Sequence, residues 1–138
     1  MIRFAIQEIF EVKGTQKFYQ LVILNKSGGS ADKLNNAGVW NNYEEALEQK
    51  YGGSFRALLA IMDRKSNLLS LKESQFRDIT PAKELVKEFE FKYQDLRCYG
   101  IKLTNGVLII HAGFKNQQKT DIIKFRSLKK EYLNSERK

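Results

Sequence analysis

Two apolar runs in the last third of the chain, Leu96–Leu103 and Val107–Phe114, are parted only by Thr104-Asn105-Gly106. Asn-Gly between β-favouring runs predicts a hairpin, because both residues tolerate the positive φ of a type I′ turn. Upstream, Ile2–Val12 alternates through Ile2, Phe4 and Ile6 before the pattern blurs at Ile9-Phe10. Lys13-Gly14-Thr15-Gln16 reads as a turn and Phe18–Leu24 as a second β-branched and aromatic run, so an N-terminal hairpin is expected. Asn25–Asn42, rich in Asn, Gly, Ser and Asp, reads as a long loop. Asn42 is the expected cap of a helix over Tyr43–Tyr51, stopped by Gly52-Gly53. Ser54 is the expected cap of a second helix carrying Phe55, Leu58, Leu59, Ile61 and Met62 at near-helical spacing. Leu68–Ile79 fits no single pattern, and Pro81 opens a short helix through Leu85. Val86–Tyr93 sets Phe89, Phe91 and Tyr93 against Glu88, Glu90 and Lys92, the alternation of a strand with one buried face. Thr120 caps a final helix to Arg137, with Asp121 in its first turn and Ile122, Ile123, Phe125, Leu128, Tyr132 and Leu133 as its apolar stripe. The order β-β-α-α-β-β-β-α predicts an α+β domain with an antiparallel sheet of about five strands, two central helices and a C-terminal helix.

The 138 residues suffice for one domain, and a hydrophobic fraction of 42% argues for a folded core rather than disorder. No apolar run is long enough to span a bilayer and no signal peptide is visible, so a cytoplasmic protein without a membrane partner is expected. Charge changes the picture more. Of the net +8, residues 1–96 supply 14 basic against 13 acidic side chains, whereas residues 97–138 supply 10 against 3. Nearly all the excess therefore lies on the hairpin and the segment after it, which suits a polyanion, nucleic acid before membrane, or an acidic protein. A solvated basic tail is the plainer alternative. One histidine and one cysteine exclude a zinc site and an internal disulfide, and Gly28-Gly29 and Gly52-Gly53 lack the pattern of a nucleotide-binding loop. No metal or cofactor is expected.

Leu96-Arg97, a hairpin, then His111-Ala112-Gly113-Phe114-Lys115-Asn116-Gln117-Gln118-Lys119-Thr120 resembles the RelE/HigB superfamily of toxins from type II toxin–antitoxin modules. The closest likeness is to its phage-related HigB branch. There a Leu-Arg strand precedes Leu-Leu-His-Gly-Phe, lysines, Gln-Lys-Thr-Pro and an amphipathic helix. Ile109-Ile110-His111 and Gly113-Phe114-Lys115 fit with one residue displaced, and Gln118-Lys119-Thr120 fits directly. Asp121 stands for the proline and Asn116 for a lysine. The likeness covers roughly residues 86–135 of a single domain; residues 1–85, with an extended N-terminal hairpin, diverge from it.

The resemblance implies a metal-independent endoribonuclease that cuts messenger RNA, free or on the ribosome, and is silenced by a cognate antitoxin. In such chemistry the ribose 2′-OH attacks the adjacent phosphate, helped by a proton acceptor, cations and an acid for the leaving 5′-oxygen. Arg97, His111, Lys115 and Lys119 are the candidate catalytic residues. Arg97 offers a guanidinium fork for phosphate, and His111 is the only side chain titrating near neutrality unaided. Tyr99, Lys102, Lys124 and Arg126 are candidate RNA contacts, Tyr99 by stacking on a base. Structural roles remain open for each. Arg97 shares its strand face with Tyr99, Ile101 and Leu103 and suits an ion pair, and strict alternation sets His111 on the face of Val107 and Ile109, where a satisfied core histidine is common. Cys98 lacks the neighbours of a nucleophile. The alternative function is a catalytically silent protein- or nucleic-acid-binding module.

Overall fold

The computed structural model describes residues 3–24, 38–47 and 50–136. Among them the elements run β1 (Arg3–Glu8), β2 (Lys17–Leu24), α1 (Val39–Leu47), α2 (Gly52–Ser66), β3 (Phe76–Asp78), β4 (Glu88–Tyr93), β5 (Leu96–Leu103) and β6 (Gly106–Phe114). A single 3₁₀ turn over Lys115–Gln117 then leads into α3 (Gln118–Ser135). The strands form one six-stranded sheet in the order β1-β2-β6-β5-β4-β3. The expected α+β architecture holds, with one strand more than expected, because the unpatterned Leu68–Ile79 stretch contributes β3 as an edge. The sheet is mixed rather than antiparallel: β2 runs parallel to β6, with Lys17–Gln20 beside Gly106–Ile109. No helix among the described residues is long and apolar enough to cross a membrane.

Helices cover both faces of the sheet. On one face Trp40, Tyr43 and Leu47 of α1 and Phe55, Leu58, Ile61 and Met62 of α2 bury Phe18, Phe91, Cys98, Val107 and Ile109. Trp40 and Phe55 pack with ring centroids 4.6 Å apart. On the other, Phe125 and Tyr132 of α3 bury Leu21, Tyr99, Ile101, Leu108 and Ile110. Sheet strands covered twice bury both faces. This corrects the one-faced reading of β4, where Glu88 and Glu90 lie as deeply as Phe89 and Phe91.

The helix boundaries differ from the sequence pattern for tertiary reasons. α1 starts at Val39 rather than Tyr43, because its first amides are capped from the sheet and not by Asn42: Gln20 Oε1 accepts from the backbone N–H of Trp40 (3.1 Å) and of Asn41 (3.0 Å). The expected loop Asn25–Asn42 otherwise falls on residues 25–37, outside the described set. Gly52 and Gly53 open α2 rather than ending α1, and Ser54 makes no cap. Residues 81–85 form a turn instead of a helix, closed by Glu84 N–H to Pro81 O with Lys83 at φ 74°.

The β5–β6 hairpin is present, yet Asn105 does not adopt the positive φ that a type I′ turn requires. The glycine beside it answers to packing. Gly106 opens the parallel ladder with β2, and a Cβ there would stand 2.1 Å from Lys17 O. Two strands thus meet where only a hydrogen fits.

α3 carries the largest departure. Its buried line is Asp121, Phe125, Lys129 and Tyr132, whereas Ile123 of the expected stripe is 68% exposed. Beneath it β4 presents two carboxylates. Lys129 Nζ donates to Glu88 Oε2 (2.7 Å), Glu84 Oε1 (2.9 Å) and Val86 O (2.9 Å), using all three of its protons. Arg126 Nε donates to Glu88 Oε1 (2.9 Å) and its Nη2 to Ile79 O (2.8 Å). A buried carboxylate must be paired, and here the pairing sets which side of the helix faces down.

Two stability outcomes follow. Gly106→Ala should lower stability by about 1–3 kcal/mol in denaturant unfolding, the cost of overpacking, since backbone cannot yield as a side chain can. Lys129→Met should cost roughly 3 kcal/mol, the low end for a broken buried pair because Arg126 still holds Glu88; Glu88→Leu together with Lys129→Met should recover most of it. Equal loss in the single and double variants would show that the charges do not pair.

Candidate active site

β6 positions the candidate residues, and it does so through an irregularity. Its pairing with β2 stops at Ile109. In the ladder with β5, Tyr99 faces His111 and Gly100 faces Ile109, so Ile110 is left over as a bulge. A bulge sets two successive residues against one and re-aims the chain beyond it. Ile110 packs with Tyr99 and Phe125, and the His111 ring lies over Tyr99. His111 therefore leaves the face of Val107 and Ile109, where strict alternation would put it, and turns toward α3.

On that face the register aligns Arg77, Glu90, Tyr99 and His111 across four strands. The first turns of α3 lie above them. His111 Nε2 is 2.9 Å from Asp121 Oδ1, with the imidazole side chain 18% exposed. Gln118 Nε2 hydrogen-bonds Glu90 Oε2, and Arg77 Nη2 lies 3.1 Å from Glu90 Oε1. A carboxylate only accepts, so Nε2 is the donor to Asp121, and whenever the ring is neutral Nδ1 is its lone-pair nitrogen. Gly113 makes room for this carboxylate: a Cβ there would stand 2.1 Å from Asp121 Oδ2. The carbonyl of Gly113 accepts from the Tyr43 hydroxyl at 2.7 Å, which fastens the strand end to α1.

Tyr99 is fully buried, stacked against the imidazole (centroids 6.4 Å apart, planes 16° from parallel) and against Phe125 (5.7 Å, 28°). No part of the ring is open to a base, which corrects its expected role as a base-stacking platform. Its hydroxyl is pushed up by burial and then by the charges of Glu90 and Asp121, partly offset by Arg97. Arg97 also faces inward. It is 8% exposed, and its Nη1 donates to Gln94 O (2.6 Å) and Leu96 O (2.7 Å), bracing the β4–β5 turn where Gln94 sits at φ 50°. Four buried polar atoms on or beside this face, Glu90 Oε1, Arg97 Nε, Tyr99 Oη and Asp121 Oδ2, have no hydrogen-bond partner, Glu90 Oε1 meeting Arg77 as an ion pair alone.

The lysines divide. Lys115, in the 3₁₀ turn, and Lys119, in the first turn of α3, are exposed just past the strand end that carries His111. Lys115 N–H is held by Asp95 O at 2.7 Å. Lys102 is at the far end of β5, and its charge is felt by Lys65 of α2, whose ammonium burial and then Lys102 push below its usual value. Lys124 is exposed on α3, and Arg126 is committed to Glu88. The structure thus gathers His111, Lys115 and Lys119 at one end of the sheet and leaves Lys102 elsewhere. Cys98 is fully buried and its thiol is pushed far up by burial, so it stays a thiol. Among the described residues, no three His, Cys, Asp or Glu side chains are grouped to hold a metal ion.

Asp121, Gln118 and Glu90 were not legible as site residues, because Asp121 and Glu90 sit where the pattern calls for a helix-start acid and a solvent-facing strand acid. Their one signal was reciprocal: alternate acids on β4 match basic and amide residues along one side of the last helix. Comparison with known proteins returned no match to any family model, any curated protein or any solved structure.

The histidine–carboxylate contact has a direct readout. In nitrogen-15 spectra of the unmodified protein at alkaline pH, His111 should carry its proton on Nε2. Asp121→Ala should release the ring into a mixture of tautomers while the fold persists; an unchanged tautomer in the variant would remove Asp121 from the site.

Proposed function

We propose that this chain is a metal-independent endoribonuclease of the RelE/HigB toxin kind, cutting messenger RNA in the cytoplasm and held silent by a small acidic antitoxin. The observation that carries the reading is the largely buried His111–Asp121 pair near the end of β6, followed by exposed Lys115 and Lys119 in the part of the chain that holds most of the net positive charge. In this reading a phosphodiester lies across the strand end with its oxygens on the two ammonium groups. Neutral His111 takes the 2′-OH proton through Nδ1, while Asp121 fixes the ring and stabilises the imidazolium as it forms. The lysines offset the charge of the crowded phosphate, and an ammonium or the protonated imidazole returns a proton to the leaving 5′-oxygen. Arg97 supports the site from below by holding the β4–β5 turn.

A second reading, a silent protein- or nucleic-acid-binding module, is favoured by the inward turn of Arg97, since the strongest phosphate-stabilising group then bonds to its own chain. The test is induced expression in a bacterial host of the unmodified protein, His111→Gln, and the Lys115→Ala/Lys119→Ala pair, following growth and transcript integrity. Growth arrest with cut transcripts, relieved at least tenfold in cleavage rate by either change, is the expected result. Soluble, folded protein with intact transcripts would leave the binding module.

A further inference from the structure

Beyond the strand end lies an open cleft of about 650 Å³ lined by Tyr51, Asp95, Phe114, Lys115, Asn116 and Gln117. It is outside the His111–Asp121 pair, on the side of the sheet covered by α1 and α2. Its floor is aromatic. The rings of Tyr51 and Phe114 meet with centroids 5.4 Å apart and planes 56° from parallel, and both are only partly buried. Tilted rings form a notch in which a planar group rests on one face and meets the edge of the other. Two cations flank it: Lys50 Nζ stands 5.5 Å from the centre of the Tyr51 ring, and exposed Lys115 is on the rim.

We infer that this cleft seats one unpaired nucleobase of the RNA, stacked on Tyr51 and Phe114, with the adjoining phosphate on Lys115; the inference rests on the ribonuclease reading. Three observations select a nucleotide over other occupants. The aromatic floor offers partly exposed ring surface, as base stacking requires. The rim cations supply the phosphate attraction that a neutral aromatic ligand would not need. Asp95, the one carboxylate in the lining, disfavours a ligand that is phosphate alone, and with the amides of Asn116 and Gln117 it offers acceptors and donors suited to a base edge. Lys115 is shared, because it follows Phe114 directly and precedes α3 by three residues, so the cleft and the His111 end meet at one side chain.

The experiment measures fluorescence anisotropy of a labelled 2′-O-methyl RNA hexamer, which lacks the attacking hydroxyl and so reports binding without cleavage. A hexamer of the same backbone with no bases is the second probe, and Tyr51→Leu, which keeps an apolar side chain just ahead of α2, is the variant. The unmodified protein should bind the base-bearing strand about 10-fold more tightly than the abasic one, within the range of about 5- to 150-fold that stacking of one base gives. Tyr51→Leu should lose that preference and bind both strands alike. Equal affinity of Tyr51→Leu and the unmodified protein, or equal affinity of the two strands for the unmodified protein, would overturn the base seat while transcript cleavage still upheld the ribonuclease. Absence of binding to either strand, together with intact transcripts, would overturn both.

Discussion

Two carboxylates buried in the first half of one β-strand constrain this molecule more than any apolar contact. Glu88 and Glu90 point toward α3, in a layer where an unpaired charge is costly. Glu88 is answered by Arg126 and Lys129, and Glu90 by Gln118 and Arg77. Because Gln118, Arg126 and Lys129 belong to one helix, their partners fix both its rotation and its position along the sheet. Asp121 then falls over β6, one turn after Gln118, and meets His111. A helix held only by Phe125 and Tyr132 would tolerate sliding, since apolar contact is non-directional. A directional hydrogen bond at one end of the packed stretch and ion pairs at the other do not.

The same contacts explain why the sequence was legible in some places and misleading in others. Strands and helices with ordinary patterns declared themselves: Phe18–Leu24, the β5 and β6 runs, and the Phe55–Met62 spacing all lie in the elements their periodicity predicts. Failures came where a distant partner set the outcome. Gln20 starts α1 from the sheet, four residues before the Tyr43 start that an Asn42 cap would give. Glu88 and Glu90 mimic a solvent face until their partners on the last helix, Gln118, Arg126 and Lys129, are considered together with them. β3 spans only three residues, too few for any period to show.

The candidate site divides along the same line. Its side-chain types were evident, because the one histidine and the lysines after it stand close together in the chain. Their directions were not. Arg97 and Tyr99 sit on the face that alternation gives them, but α3 covers that face. Exposure therefore depended on the helix and not on the strand. His111 changed faces because Ile110 has no partner on β5, and a bulge cannot be deduced from hydrophobic alternation alone.

That bulge has a consequence for how this strand tolerates change in length. A ladder takes in a single extra residue by looping it out, which preserves the reading frame of side chains on either side. β6 accordingly keeps Val107 and Ile109 in phase with one helical layer, and Gly113 in phase with Arg97 and the Asp121 carboxylate, while the surplus is absorbed between them. Removing Ile110 itself would close the bulge and leave both ends of β6 in register with β5, Ile109 against Gly100 and His111 against Tyr99. The strand would lose one apolar side chain from the α3 face and turn no neighbour over, so the surplus residue is one that the ladder can give up.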